Sequence, residues 1–352
     1  MIANETIQKI LTAGVQAPSG SNSQPWKFLV KNGVVKTVGL YEKDHPVLNY
    51  RNRGTLLAHG ALLENIDIAA REYGYAANIV LFPSEDAHIV SEITFTEIGK
   101  EKQPLYAAIF ERSINRKPYK KTPLSDIEKK DLMSVVPAGG EADVILIEDK
   151  DKIKKLAKAI SISEMVIFAN TALHKLLFEA LVWTKEEENE KKSGLFLKTL
   201  ELNAPQQLLL KFLKRWSVTK MVNKLGFSKM LANGNGAIYA STPAMGIIRV
   251  SNTDKSFIEA GRIMERLWLQ ATAMGLNFSI ITGVPFLWQQ VFLGNKEVLS
   301  EEHGKLVDDS YDIIRSMANV PKEDIPVVVF RVGHGEKPSA RSSKKDPDIV
   351  FE

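Results

Sequence analysis

The chain of 352 residues contains no cysteine. Disulfides, cysteine-ligated zinc, iron–sulfur clusters and thiol nucleophiles are therefore excluded, while the redox compartment stays open. Histidine is also sparse, and His45, His59, His88, His174, His303 and His334 show no metal-ligand spacing. His59 and His174 fall within helical apolar patterns, where a histidine is more often a packed residue than a ligand. No apolar run approaches the roughly 20 residues that a spanning helix needs. Residues 1–8 are polar and lack the basic-then-apolar order of a signal peptide, so the expected location is the cytoplasm. There is neither a Gly-x-Gly-x-x-Gly turn nor a Gly-Lys-Ser/Thr loop, which argues against a built-in Rossmann or P-loop nucleotide site.

What the chain does contain is 44% hydrophobic and 25% charged residues, enough apolar material for a large core. The net charge of +4 comes from Lys and Arg dispersed along the sequence. Such dispersal does not point to nucleic acid, and it suits an anionic small ligand equally well.

The strongest internal signal is a repeat. At a constant offset of 201, Gly60, Glu64, Ala70 and Gly74 match Gly261, Glu265, Ala271 and Gly275. Leu63, Ile66 and Ile68 fall opposite Met264, Leu267 and Leu269. Both segments read as amphipathic helices ended by a glycine at a left-handed cap, and each leads into a β-like stretch, 78–82 and 278–281. Duplication is the favoured reading over chance similarity of two helices. Elsewhere the patterns predict a helix over 5–15 and a hairpin of 27–31 with 34–41 around Asn32-Gly33. Further helices are expected near 104–112 and over 127–135, the latter started by Pro123-Leu124-Ser125-Asp126. Buried strands are expected at 144–147 and 327–332. Helices outnumber strands without a clean βαβ alternation, so the expected class is α+β. Residues 185–235 have no counterpart in the first part of the chain. This insert opens with a charge run and continues through the basic, amphipathic stretch 205–216. Interfacial membrane binding is conceivable there, but a helical lid or an extra packed helix pair is preferred, and no membrane partner is expected.

Two motifs carry candidate chemistry. Ala17-Pro18-Ser19-Gly20-Ser21-Asn22-Ser23-Gln24-Pro25-Trp26 is a polar loop between a helix and a strand. Gly20 permits unusual backbone shapes, and Ser19 and Asn22 can donate to the carbonyls and ring nitrogens of a planar heterocycle. Read by itself, the same stretch is also an ordinary Pro/Ser/Asn loop. In Glu111-Arg112-Ser113-Ile114-Asn115-Arg116-Lys117-Pro118, Arg112 and Arg116 lie four apart. On a helical turn they would share a face and could close on a phosphate. Standing alone, such a cluster is usually a solvated surface.

The first motif resembles the flavin-binding loop of the nitroreductase family, Ala-Pro-Ser-x-x-Asn-x-Gln-Pro-Trp, with every position filled. The second is similar to that family's Arg-Arg-Ser-x-Arg phosphate signature, although no register fills all of it. Glu111 stands where the first Arg belongs, or Ile114 where the Ser does. Ala273 to Gly283 resembles the helix end, strand and turn that reach the flavin, placing Thr282 and Gly283. The tail after Arg331-Val-Gly-His-Gly335, with Arg341, Lys344 and Lys345, is similar to the family's closing strand and basic tail.

The resemblance implies a nitroreductase-like α+β fold with two tandem units forming a pseudo-dimer in one chain, in the fused-twin, Acg-type branch. The first unit would span 1–103 with the Ala-Pro-Ser loop. The second would span 104–352 with the arginines, the Gly turn and the basic tail, and with the insert 185–235 as a lid. The second unit's own loop position, 136–140, lacks the amides, so the two incomplete sets add up to one site. FMN would be held by Pro18, Ser19, Gly20, Asn22, Gln24, Arg112, Ser113, Arg116, Thr282, Gly283, Arg341 and Lys345, with no side chain as catalyst and no metal. The implied activity is NAD(P)H-dependent reduction of a small oxidised acceptor, such as a nitroaromatic or quinone, by a monomer. The alternative is an FMN storage or sensor protein beneath a closed lid.

Overall fold

The computed structural model describes residues 2–140, 142–294, 298–321 and 323–352; Met1, Glu141, Asn295, Lys296, Glu297 and Lys322 lie outside the described residues. Helix α1 (Asn4–Gly14) buries Ile7, Ile10 and Leu11, apolar positions three and four apart. Strands β1 (Trp26–Lys31) and β2 (Val34–Gly39) form the expected hairpin, with Lys31 opposite Val34. Its turn residues Asn32 and Gly33 take φ of 52° and 78°, the left-handed pair that a two-residue hairpin demands. Helix α2 (Arg53–Glu72) and strands β3 (Tyr75–Leu81) and β4 (Ile89–Glu97) complete the first unit.

Helix α3 (Tyr106–Glu111) follows, and then α4 (Asp126–Met133), whose start is fixed by a capping box between Ser125 and Glu128. Strand β5 (Ala142–Ile147) leads to a helical region of α5 (Lys150–Ile160), α6 (Ile162–Ala169) and α7 (Thr171–Ala180). Short strands β6 (Leu181–Val182) and β7 (Leu195–Phe196) flank α8 (Lys185–Lys191). Next come α9 (Ala204–Leu213), α10 (Trp216–Asn223) and α11 (Phe227–Tyr239). The chain then forms β8 (Ala244–Ser251), α12 (Asp254–Ala273), β9 (Asn277–Ile281), α13 (Gly283–Trp288), α14 (Glu301–Met317), β10 (Asp324–Gly333) and β11 (Ile349–Phe351). The class is α+β.

The two larger sheets share one plan. The first has the order β11-β1-β2-β4-β3 and the second β5-β8-β10-β9. Apart from β11, each places its four strands in the sequence first, second, fourth, third, with the long helix between the second and third. Helices α2 and α12 start 201 residues apart, as 254 − 53 shows, and end at the same offset. They form the central pair of the molecule and cross at the repeated glycines. A Cβ on Gly60 would overlap Ile258 O and come within 2.8 Å of Gly261 Cα. A Cβ on Gly261 would likewise overlap Leu57 O and lie 2.9 Å from Gly60 Cα. Gly74 and Gly275 cap the two helices with φ of 89° and 72°.

The units also exchange their tails. Beyond β10 the chain returns to pair β11 parallel to β1, with Phe28 opposite Ile349. Beyond β4 the chain crosses to the second sheet, where Asn115 N donates to Phe278 O and Lys120 N to His334 O. Both crossings meet beside the Ala17–Trp26 loop, and the candidate site lies there.

Candidate functional site

The loop after α1 is held by its own side chains. Ser19 Oγ accepts from Gln24 N at 2.9 Å. Ser23 and Thr55 donate to opposite oxygens of Asp44 at 2.6 and 2.5 Å. Burial raises the Asp44 carboxyl even though both hydroxyls oppose it. The unusual backbone sits at Ser21, Asn22 and Gln24, with φ of 46°, 57° and 53°; Gly20 is exposed and needs no such freedom. The expectation for Gly20 is thereby corrected: asparagine tolerates the left-handed region, and local hydrogen bonds hold the other two. Asn22 and Gln24 are buried with their amides turned inward.

Three cations converge on this loop. Arg112 Nη2 donates to Gln16 O at 2.7 Å, its Nε lies 3.0 Å from Glu265 Oε1, and its guanidinium stacks 4.3 Å over Trp268. Arg341 donates to Arg112 O at 2.9 Å and to Gln16 Oε1 at 3.0 Å. Lys344 Nζ donates to Ala17 O at 2.7 Å and to Asn22 Oδ1 at 2.8 Å. Glu265, fully buried, is the near counter-charge; burial raises its carboxyl and Arg112 opposes the rise. Burial and then Arg112 drive Lys344 well below the usual lysine value, and the same causes in the same order bring Arg341 down to about 10. Burial is the first cause of both shifts, and Glu265 and Glu188 oppose it at Lys344, so three basic groups and two acids share one desolvated corner whose donors could meet an oxyanion.

Several sequence expectations change here. Helix α3 ends at Glu111, and Arg112 turns to ψ 128°, so Arg112 and Arg116 share no helical face. Arg116 runs instead to the insert, donating to Thr199 O at 2.8 Å, and burial lowers its guanidinium beside Tyr239, Arg331, Glu201 and Glu164. Ser113 donates to Ala340 O at 3.1 Å and so pins the tail. The side chain of Lys345 is exposed, and only its main-chain N reaches Gln24 Oε1, at 2.8 Å. Its neighbour Lys344 is the lysine that enters the cluster. Thr282 and Gly283 open α13 against α6, where a Cβ on Gly283 would come 2.6 Å from Ser163 Cβ. They belong with Arg116 more than with Arg112, because Glu164, next to Ser163, accepts from Tyr239 at 2.5 Å and faces Arg116. The structure thus gathers the loop, Arg112, Arg341 and Lys344 in one group, and Arg116, Glu164, Tyr239 and Gly283 in another. Sequence reasoning missed Gln16, Glu265, Glu164 and Tyr239; only Glu265 had a signal, as a repeated position.

The insert covers both groups. Gln24 Nε2 donates to Lys192 O at 2.6 Å, and Asn22 Nδ2 to Ser343 O at 3.0 Å. Ser343 N donates to Glu188 Oε1 at 2.5 Å, and Glu188 is fully buried. Residues 188–199 therefore rest on the loop, the tail and Arg116 together. The cation cluster fits the phosphate of a nucleotide-like ligand. The loop amides that would meet a ring are engaged by the insert and the tail, so a ring requires this segment to move. Two shallow depressions elsewhere, one around Pro137 and Arg249 and one around Trp183 and Trp216, contain none of the candidate residues.

Residues 1–45 match the model of the Nitroreductase family, and over that stretch the chain is similar to it. The chain is 22% identical over 350 residues to the uncharacterized protein MT1398 of Mycobacterium tuberculosis, covering 97% of this chain and 47% of that protein. It is 27% identical over 187 residues to acg of the same organism, a protein whose name assigns it provisionally to the NAD(P)H nitroreductases; 51% of this chain and 54% of acg are covered. The chain spans about half the length of the curated relatives it matches. An FMN-dependent nitroreductase from Clostridium difficile R20291 superposes with a TM-score of 0.34 at 13% identity, covering 67% of this chain and 89% of that one.

Proposed function

We propose that the chain binds one FMN between its two units and acts as an oxidoreductase. It would pass a hydride from NAD(P)H to a small oxidised acceptor such as a nitroaromatic or quinone. The carrying observation is the buried cluster of Arg112, Arg341 and Lys344 against Ala17 and Asn22, which draws residues from both units into one anion-binding corner. Arg112, oriented by Glu265 and Trp268, would hold the phosphate with Arg341 and Lys344. Ser19, Asn22 and Gln24 would meet the polar edge of the ring once Lys192 O is displaced. When bound, the flavin supplies the hydride chemistry, and the protein positions it and tunes its charge. In the net reaction NAD(P)H and a proton reduce the acceptor by two electrons and leave NAD(P)⁺. No side chain here is assigned as a general acid.

A second reading, an FMN-holding protein with little turnover, is favoured by the seating of Glu188 and Lys192 over the loop and tail. An absorbance spectrum of the protein with added FMN, followed by NADPH under anaerobic conditions, separates the two. Bound flavin that bleaches rapidly and reoxidises with a quinone supports the reductase. Bound flavin that stays oxidised supports the holding protein. A protein that leaves the FMN spectrum unchanged overturns both.

A further inference from the structure

Over 202–253 the chain carries neither Asp nor Glu. Within 202–230 it places Lys211, Lys214, Arg215, Lys220, Lys224 and Lys229, all exposed. Interleaved with them are large apolar side chains open to solvent: Leu208 at 57% exposure, Phe212 at 60%, Met221 at 62%, Leu225 at 88% and Met230 at 64%. Single exposed apolar residues are ordinary; six within 23 residues of a basic, acid-free stretch, Leu209 included, are not.

Their common direction follows from what the three helices bury. α9 turns Leu210 and Leu213 inward, α10 turns Thr219 and α11 turns Ser228 and Ala232. Leu210 and Leu213 pack in one cluster with Phe168, Phe178 and Leu197, and Val222, Phe227 and Leu231 lean on the same cluster. Phe212 and Met221 lie on the sides of α9 and α10 turned away from that cluster, while Met230 lies at its edge, one helical turn from Phe227. On a helix, Phe212 lies about 160° from Leu210, and Met221 about 160° from Thr219, at 100° per residue.

We infer that α9 to α11 form a docking face for an anionic lipid surface, with the apolar side chains entering the headgroup boundary and the lysines meeting lipid charge. Among the described residues no single helix is long and apolar enough to cross a membrane, and the attachment we infer is interfacial. The charge selects the occupant. A second copy of this chain would oppose Lys211, Arg215, Lys220, Lys224 and Lys229 with the same five cations across a symmetric contact, Lys214 being turned over the Trp183 ring. An anionic bilayer satisfies both the charge and the apolar tips, and lysine clusters next to apolar side chains are the pattern that such surfaces recognise.

The test is co-sedimentation of the full chain with phosphatidylcholine vesicles, with and without about a third phosphatidylglycerol. Two variants accompany it: Phe212→Ser with Leu225→Ser and Met230→Ser, and Lys211→Gln with Lys220→Gln and Lys224→Gln. The expected result is at least tenfold stronger binding to the anionic vesicles, lost at least tenfold in each variant, and weakened as salt rises. Both variants should keep the wild-type melting temperature, since the changed side chains are exposed. Should the apolar set fail to fold, Leu225→Ser alone, the most exposed site, replaces it. Equal binding to both vesicles, no binding to either, or binding indifferent to the apolar set would overturn the inference. So would a wild-type dimer in light scattering that the apolar set converts to monomer while vesicles are ignored.

Discussion

His59 is fully buried in α2, with Nε2 3.1 Å from Pro25 O and its ring edge-on to Trp26 at 6.2 Å. Burial brings its pKa down to about 4, and the bond to Pro25 opposes the fall. The folded value lies below the unfolded value of 6.5, so the native state refuses a proton that the unfolded chain accepts between those two pH values. Stability is complete above pH 6.5 and falls as pH drops toward 4, by about 3 kcal/mol in all. Thermal melts from pH 7 to pH 4 should show this slope, and His59→Gln should flatten it. An unchanged slope in the variant would assign the acid sensitivity to other groups. At this scale the loop was legible as a motif, because ten residues in fixed order leave little to chance. The identity of the inward lysine was not. The tail has no periodicity, and which of Lys344 and Lys345 points inward depends on backbone that β11 and Ser113 fix from a distance.

Among the elements, the crossing of α2 and α12 is the contact most sensitive to a single atom. At Gly60 and Gly261 the overlapping neighbours are main-chain atoms, which cannot swing aside as a side chain can. Gly60→Ala should therefore destabilise the protein by about 3 kcal/mol or more, measured by urea unfolding. A loss under about 1 kcal/mol would mean that the helices separate freely. The glycines were visible in the sequence as repeated positions, but their reason, helix against helix, appears only in the packed pair. The same helices show where the two units diverge. Glu64 pairs with Arg262 and Arg266, whereas its counterpart Glu265 faces Asn65 at the place equivalent to Arg266 and takes its charge partner from Arg112. That demand also explains why the arginine motif misled as a helical pair. Buried Glu265 and Gln16 O draw Arg112 out of the α3 spiral, and α3, only six residues long, has no further turn to offer Arg116. The docking of 188–199 was equally hidden, since amphipathic spacing identifies a helix without saying what an insertion will rest on.

For the whole molecule, the tail exchange makes the site a joint product. Lys344 and Arg341 arrive from beyond β10, Arg112 from beyond β4, and the loop from before β1. The counterpart loop before β5, Val136 to Gly140, offers no amide or hydroxyl side chain. Among the described residues, the depression beside it is lined by Arg249, already paired with Asp143 at 2.7 Å and Asp324 at 3.5 Å, so its charge is spent. Among the described residues, the proposed anion site therefore has no counterpart beside the second loop. Calorimetric titration with FMN should give one equivalent per chain. Lys344→Met should weaken that binding by about 2 kcal/mol, the contribution of a charge-assisted bond to phosphate, with no second equivalent left unaffected. If half of a two-site isotherm survived the substitution, both units would be competent and the division of labour between them would be wrong. If the single site bound FMN unchanged, the phosphate would lie away from Lys344, and Arg116 beside Glu164 would become the cation to replace next.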